Sequence, residues 1–184
     1  YFDNYRKTTD NKGLSEKSVL SFLERSNGEI WIGTDGGGIN ILHPKVLGDY
    51  SIENNPSVNS KLSNGVVASM LEDKKGRIWI GTYLGGLNCI DPKTKKVKRY
   101  ALGMPEQNNG QSSGSSIWYL FEDKKNRIWA GTVTSSLMIC DETTDRFTPF
   151  PYELDKGNSP IGKMIFSVFQ DHKNEYWIAS VGKG

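Results

Sequence analysis

The 184 residues suffice for one sizeable core, and 23 Lys+Arg against 21 Asp+Glu leave no global field that would favour nucleic acid or a membrane surface. No apolar run approaches the roughly 20 residues needed to span a bilayer. The opening YFDNYRK has neither an initiator methionine nor a signal peptide and reads as the interior of a longer chain, so missing targeting signals carry no weight.

Trp31, Trp79, Trp129 and Trp177 recur at spacings of 48, 50 and 48 residues, inside the phrases SNGEIWIGT, KKGRIWIGT, KKNRIWAGT and HKNEYWIAS. A period of about 40–50 residues marks a repeat architecture. In chain order, each copy opens with a strand apolar on both faces, from Val19, Val67, Ile117 or Ile165 to Leu23, Leu71, Phe121 or Phe169. A small residue sits within it, Ser21, Ser69 or Ser167, replaced once by Tyr119. Gly28, Gly76, Asn126 and Asn174 then predict a tight turn, because glycine and asparagine tolerate positive φ. The tryptophan strand follows, rich in β-branched and aromatic residues. Next come a loop of small residues, a third strand (INIL, LNCI, LMIC) and a short fourth strand ending at Tyr50, Tyr100 or Phe150. Phe2 and Tyr5 repeat the spacing of Phe147 and Phe150.

Four antiparallel strands at this period predict an all-β fold of β-propeller blades. Residues 1–184 are expected to form a partial β-propeller of about three and a half blades. Its parts are the last strand of a preceding blade at 1–7, blades at 14–53, 62–102 and 112–152, and the first half of a further blade at 161–184. Cys89 stands ten residues after its tryptophan and Cys140 eleven, which places them on opposite strand faces. Both read as small buried apolar residues rather than a disulfide. The clusters Lys74-Lys75, Lys93 to Arg99 and Lys124-Lys125 fall in turns and read as solvated loops, so no nucleic acid is expected to bind.

The combined pattern, Leu-Ser, V-x-x-x-L-E-D-x-x-G-x-I-W-I-G-T and G-G-L-N-x-x-D-P-x-T, resembles the two-component regulator propeller repeat. Residues 62–92 carry it most fully, through Leu62-Ser63, Glu72-Asp73, Gly76, Trp79 to Thr82, Gly85-Gly86-Leu87 and Asp91-Pro92. The third copy loses the glycine pair to Ser135-Ser136. The resemblance implies the periplasmic sensor region of an inner-membrane hybrid histidine kinase of Bacteroides type. It also implies a propeller of usually seven blades and a ligand that is often an oligosaccharide. No kinase, phosphoacceptor or receiver segment lies in these residues, so the segment itself is expected to be non-enzymatic and to need no cofactor.

Among candidate sites, the repeated Trp31, Trp79, Trp129 and Trp177 and the repeated Gly33, Gly81 and Gly131 read as architecture, since packing is copied while chemistry is usually unique. The recurring acids Glu24, Glu72 and Glu122, with Gln170 as the fourth copy, read as structural hydrogen bonds or solvated ends. His43 and His172 lack Cys or carboxylate at ligand spacing, so no metal is expected. A propeller lyase would need a metal and a histidine base, and two scattered histidines do not supply them. The glycine run after Asp35 opens no helix and reads as a turn rather than a phosphate cradle.

Ligand recognition is expected where the copies differ: Asp35, Tyr83 and Val133, with the connectors at 6–13, 54–64, 105–115 and 158–163. Tyr83, Trp118 and Tyr119 break their columns and are candidates to stack on a sugar ring, with ordinary packing as the competing role. A scaffold for dimerisation or protein docking is the rival function. The expected partners are an oligosaccharide, the remaining blades of the parent and a second copy. Self-association, or pairing of the Phe2–Arg6 strand with the half blade, would cover the open ends.

Overall fold

The computed structural model describes residues 6–7, 13–44, 50–54, 56–100, 102, 115–133, 137–150 and 164–181, with only the backbone of Pro44, Tyr50, Ser51, Asn54 and Pro56. Three repeats fold as four-stranded antiparallel sheets, each with its strands in sequential order. The first blade contains β1 (Val19–Glu24), β2 (Ile30–Thr34), β3 (Ile39–Pro44) and β4 (Tyr50–Asn54). A single helical turn, α1 (Pro56–Asn59), lies in the connector that follows. The second blade contains β5 (Val67–Glu72), β6 (Ile78–Thr82), β7 (Gly86–Ile90) and β8 (Val97–Tyr100). The third contains β9 (Ile117–Glu122), β10 (Ile128–Thr132), β11 (Leu137–Asp141) and β12 (Arg146–Pro149). A two-stranded sheet of β13 (Ile165–Gln170) and β14 (Tyr176–Ser180) follows. Of the expected strand at 1–7, residues 1–5 with Phe2 and Tyr5 lie outside the described residues, while Lys7 forms a parallel bridge with Leu14; nearly all of 105–115 and 158–163 lie outside as well.

The hairpin turns take the predicted form. Gly28, Gly76, Asn126 and Asn174 all have positive φ, at 83°, 75°, 62° and 69°. At Asn126 and Asn174 a short polar side chain accepts the conformation that glycine takes in the first two blades.

Each tryptophan packs across a seam onto the following blade. Trp31 joins Val67, Ile78 and Ile80, Trp79 joins Ile117, Ile128 and Ala130, and Trp129 joins Ile165 and Val168. These three indoles are buried, whereas Trp177 is 62% exposed. Phe169, in the column of Leu23, Leu71 and Phe121, is likewise 61% exposed, because no described blade stands beyond β14. At the other end Phe22 occupies the column of the seam-packed Met70 and Leu120 and is 67% exposed.

The seams are closest at their first strands. Ser21 Oγ donates to the Val67 carbonyl at 3.0 Å, and Ser69 Oγ donates to the Ile117 carbonyl at 3.1 Å. Gly33 and Gly81 sit directly behind these bonds. A Cβ at Gly81 would lie 2.7 Å from the Ile117 carbonyl oxygen, and one at Gly33 would lie 2.8 Å from that of Val67. Glycine after the tryptophan is therefore a condition of blade-to-blade approach, not of backbone conformation.

Two features depart from the sequence reading. The fourth strand of the first blade begins at Tyr50 instead of ending there, because the β3–β4 ladder runs on to pair Pro44 with Tyr50. In the second blade Tyr100 pairs with Leu87, near the far end of the ladder. Further, Cys89 and Cys140 do face opposite ways in their own blades, yet both are buried in the same seam. One looks forward from the second blade and the other back from the third. They are free thiols, and burial pushes them up to about 12 and about 11.

The seam packing makes an unequal pair of substitutions. Trp79→Ala is expected to cost about 3–5 kcal/mol. Trp177→Ala is expected to cost less than about 1 kcal/mol, since its ring has little packing to lose. Denaturant unfolding of the full chain measures both, and equal losses would contradict the seam assignment.

Candidate functional site

Antiparallel connectivity sends the β2–β3, β6–β7 and β10–β11 loops to one end of the blades and the hairpin turns after β1, β5 and β9 to the other. At the loop end Asp35 is exposed, bridged through its backbone to Val66. Tyr83 occupies the same place in the second blade, 44% exposed, beside the exposed Leu84. The loop that carries them is tied to the third blade: Leu84 N–H donates to Ser116 Oγ at 3.0 Å and Gly86 N–H to the Ser115 carbonyl at 3.1 Å. Trp118 meets Tyr83 edge-on, with ring centroids 6.4 Å apart. Its Nε1 is buried and has no hydrogen-bond partner among the described residues.

Tyr119 goes elsewhere. Its hydroxyl donates to the Val168 carbonyl of the next blade at 3.0 Å, a seam bond that reaches three residues beyond the carbonyl position used by Ser21 and Ser69. The four predicted residues thus divide: Tyr83 and Trp118 come together, Asp35 stands on the same face one blade away, and Tyr119 is turned into the seam.

The turn end is a lattice of fixed charges. Glu72 accepts from Ser26 N–H at 2.8 Å, Glu122 from Lys74 N–H at 3.1 Å and Gln170 from Lys124 N–H at 2.9 Å. Each joins its blade to the turn of the preceding one, as structural hydrogen bonds do, while Glu24 is exposed. The next residue carries a box that the sequence reading passed over. Asp73 Oδ2 accepts from Trp79 Nε1 at 2.8 Å and Arg77 Nε at 2.6 Å, and Arg77 lies over the Trp79 ring at 5.0 Å. Asp123, Arg127 and Trp129 repeat it, at 3.0, 2.7 and 5.4 Å.

In the first blade the two charges exchange places. Arg25 stands in the aspartate column and Glu29 in the arginine column, yet Glu29 accepts from Trp31 Nε1 at 3.1 Å and Arg25 still covers the ring at 5.2 Å. The spacing D-x-x-x-R-x-W, answered by R-x-x-x-E-x-W, was the signal available in the sequence. His43 adds contacts to Glu29 at 3.4 Å and Glu53 at 3.3 Å. Among the described residues no cluster of His, Cys, Asp or Glu is arranged to hold a metal ion, and no helix is long and apolar enough to cross a membrane.

Three segments, residues 13–36, 61–84 and 111–134, match the family model described as two component regulator propeller. No curated protein matches the chain. In fold it is similar to the extracellular domain of BT3049 from B. thetaiotaomicron, named for a hybrid two component system. That match has 21% identity and a TM-score of 0.54, over 99% of this chain and 28% of the other. It is similar also to the extracellular domain of BT4673 from the same organism, with 24% identity, TM-score 0.68, and coverage of 94% and 21%. A third likeness is to PorZ, a surface component of the type-IX secretion system of Porphyromonas gingivalis, at 17% identity, TM-score 0.67, and coverage of 96% and 26%. At these identities the likeness is one of fold. The chain spans less than a third of each structure's length.

The box at Asp123 predicts an acid limb of stability. Burial alone would push this carboxyl up, but hydrogen bonds from Arg127 N–H, Trp129, the Arg127 guanidinium and Tyr176 outweigh it and hold it below its ordinary value of 3.8. A depressed carboxyl stabilises the fold above the unfolded value, and that stability is lost as pH falls through the folded one. Asp123→Asn is therefore expected to cost about 1–3 kcal/mol at pH 7. The gap from the wild type should narrow below about pH 4 in parallel unfolding curves.

Proposed function

The chain belongs to the two component regulator propeller family, and from this premise we propose that it is part of the extracytoplasmic sensor region of a hybrid two-component histidine kinase held in the inner membrane, recognising an oligosaccharide on its loop face. The observation that carries the ligand class is the Tyr83–Trp118 pair. It offers an exposed tyrosine with its hydroxyl and a second ring set edge-on to it at 72°, on a loop pinned by the neighbouring blade. Sugar rings meet aromatic faces through their C–H groups and hydrogen-bond through their hydroxyls, which is the combination presented. Asp35 extends the polar part of the face. Calorimetry of the full chain against short neutral and acidic oligosaccharides tests the reading. Trp118→Ala or Tyr83→Ala is expected to weaken a binding glycan by roughly 1 kcal/mol, about fivefold. Heat from no glycan in the series would overturn it.

A second reading, a scaffold for docking or self-association, rests on the exposed ends of the arc. Phe22 at one end and Phe169 with Trp177 at the other are the two halves of an interior seam, so one copy can receive the next head to tail. Sedimentation over a wide concentration range is expected to show self-association that Trp177→Asp abolishes. A monomer throughout would leave no support for this second reading.

A further inference from the structure

The seam between the first two blades holds a cavity of about 320 Å3 whose chemistry differs from that of the next seam. Its size falls within the roughly 300–1,000 Å3 of small-molecule sites. Trp31, Ile41, Ile78 and Val97 form an apolar floor.

Two changes leave Trp31 short of ring neighbours. Trp79 is packed by Tyr100 of its own blade at 5.7 Å and by Phe147 of the next at 5.9 Å. At the first seam the place of Phe147 is taken by Val97: one pairs with Cys140 and the other with Ile90, equivalent positions of their third strands. Tyr50, which the repeat aligns with Tyr100, is paired instead with Pro44 at the other end of its ladder. Among the described residues no aromatic ring packs on Trp31.

The charges at the mouth are also changed. At the second seam Glu142 pairs with Lys75 at 2.7 Å and Arg77 at 3.0 Å, and Asp145 pairs with Lys98. At the first seam those two acids are replaced by Pro92 and Lys95, and Lys95 shares the left-handed turn position of Asp145, with φ of 56° and 53°. Lys61 joins it on the rim, and neither lysine has an ion-pair partner among the described residues. Glu29, the one carboxylate described in the lining, is already engaged by Trp31, Arg25 and His43. Arg25 also lines the cavity, its guanidinium shared between Glu29 and Glu72 at 3.2 Å each. The two rim lysines therefore leave positive charge in excess over an apolar floor.

We propose that this cavity binds a small organic anion with a ring body, its carboxylate held by Lys61 and Lys95 and its ring seated over Val97 and Ile78 beside Trp31. Neutral sugars are the wrong chemistry for it, so this second site is independent of the loop face. Sodium phenylacetate titrated into the 15N-labelled full chain tests it through the tryptophan indole N–H signals. The expected result is a saturable shift of the Trp31 signal at roughly millimolar concentration, with Trp79 and Trp129 unmoved. The double substitution Lys61→Gln, Lys95→Gln lies on exposed side chains and is expected to weaken binding about tenfold without disturbing the fold. Val97→Phe restores the packing of the second seam and is expected to abolish binding. No saturable shift, equal shifts at all three indoles, or undiminished binding by Val97→Phe would overturn the site. Equal affinity for neutral phenylacetamide, or no effect of the lysine substitutions, would overturn the anion.

Discussion

Everything in this arc depends on an indole laid across a seam. Each blade presents its tryptophan to the next, and the ring is held in place at its own blade by a carboxylate on Nε1 and a guanidinium over the face. The burial supplies the apolar energy of the seam, while the box fixes the ring's tilt so that the energy is gained in one orientation. Behind the ring, glycine keeps the first strands close enough for a side-chain hydroxyl to reach a carbonyl of the next blade. Stability is thus shared between neighbours, and each blade's contribution depends on the presence of the next.

The exchange of charges in the first blade shows what the box requires. Glu29 replaces aspartate on the indole and Arg25 replaces arginine over the ring, each reaching from the other's column. What is kept is the arrangement of charge about tryptophan; the positions that supply it are free to change together. Farther out in the same seam, Arg25 also reaches Glu72 of the next blade, and the acids of the second seam have given way to Pro92 and Lys95.

Much of the fold was legible because its signals are local. The tryptophan period, the turn residues with positive φ and the apolar first strands all act within a hairpin. The box was equally local in D-x-x-x-R-x-W, but it was hidden by the neighbouring Glu72 and Glu122, which stand out in alignment and act between blades instead. Of the candidate site, Tyr83 and Trp118 met as two column-breaking aromatics, whereas Tyr119 broke its column and makes a seam bond. From sequence alone the two kinds of exception look the same, since each is an aromatic that departs from its column.

The sequence by itself determined the blade: its strands, its turns, and which positions are repeated as architecture, because these follow from side-chain period and backbone preference over a few residues. Only the tertiary structure decided what lies between blades. It set Cys89 and Cys140 in one seam although they face opposite ways in their strands, and shifted the pairing at Tyr50. The reason is physical: a seam is made by residues some fifty positions apart, and neither side of it carries the signature of the other.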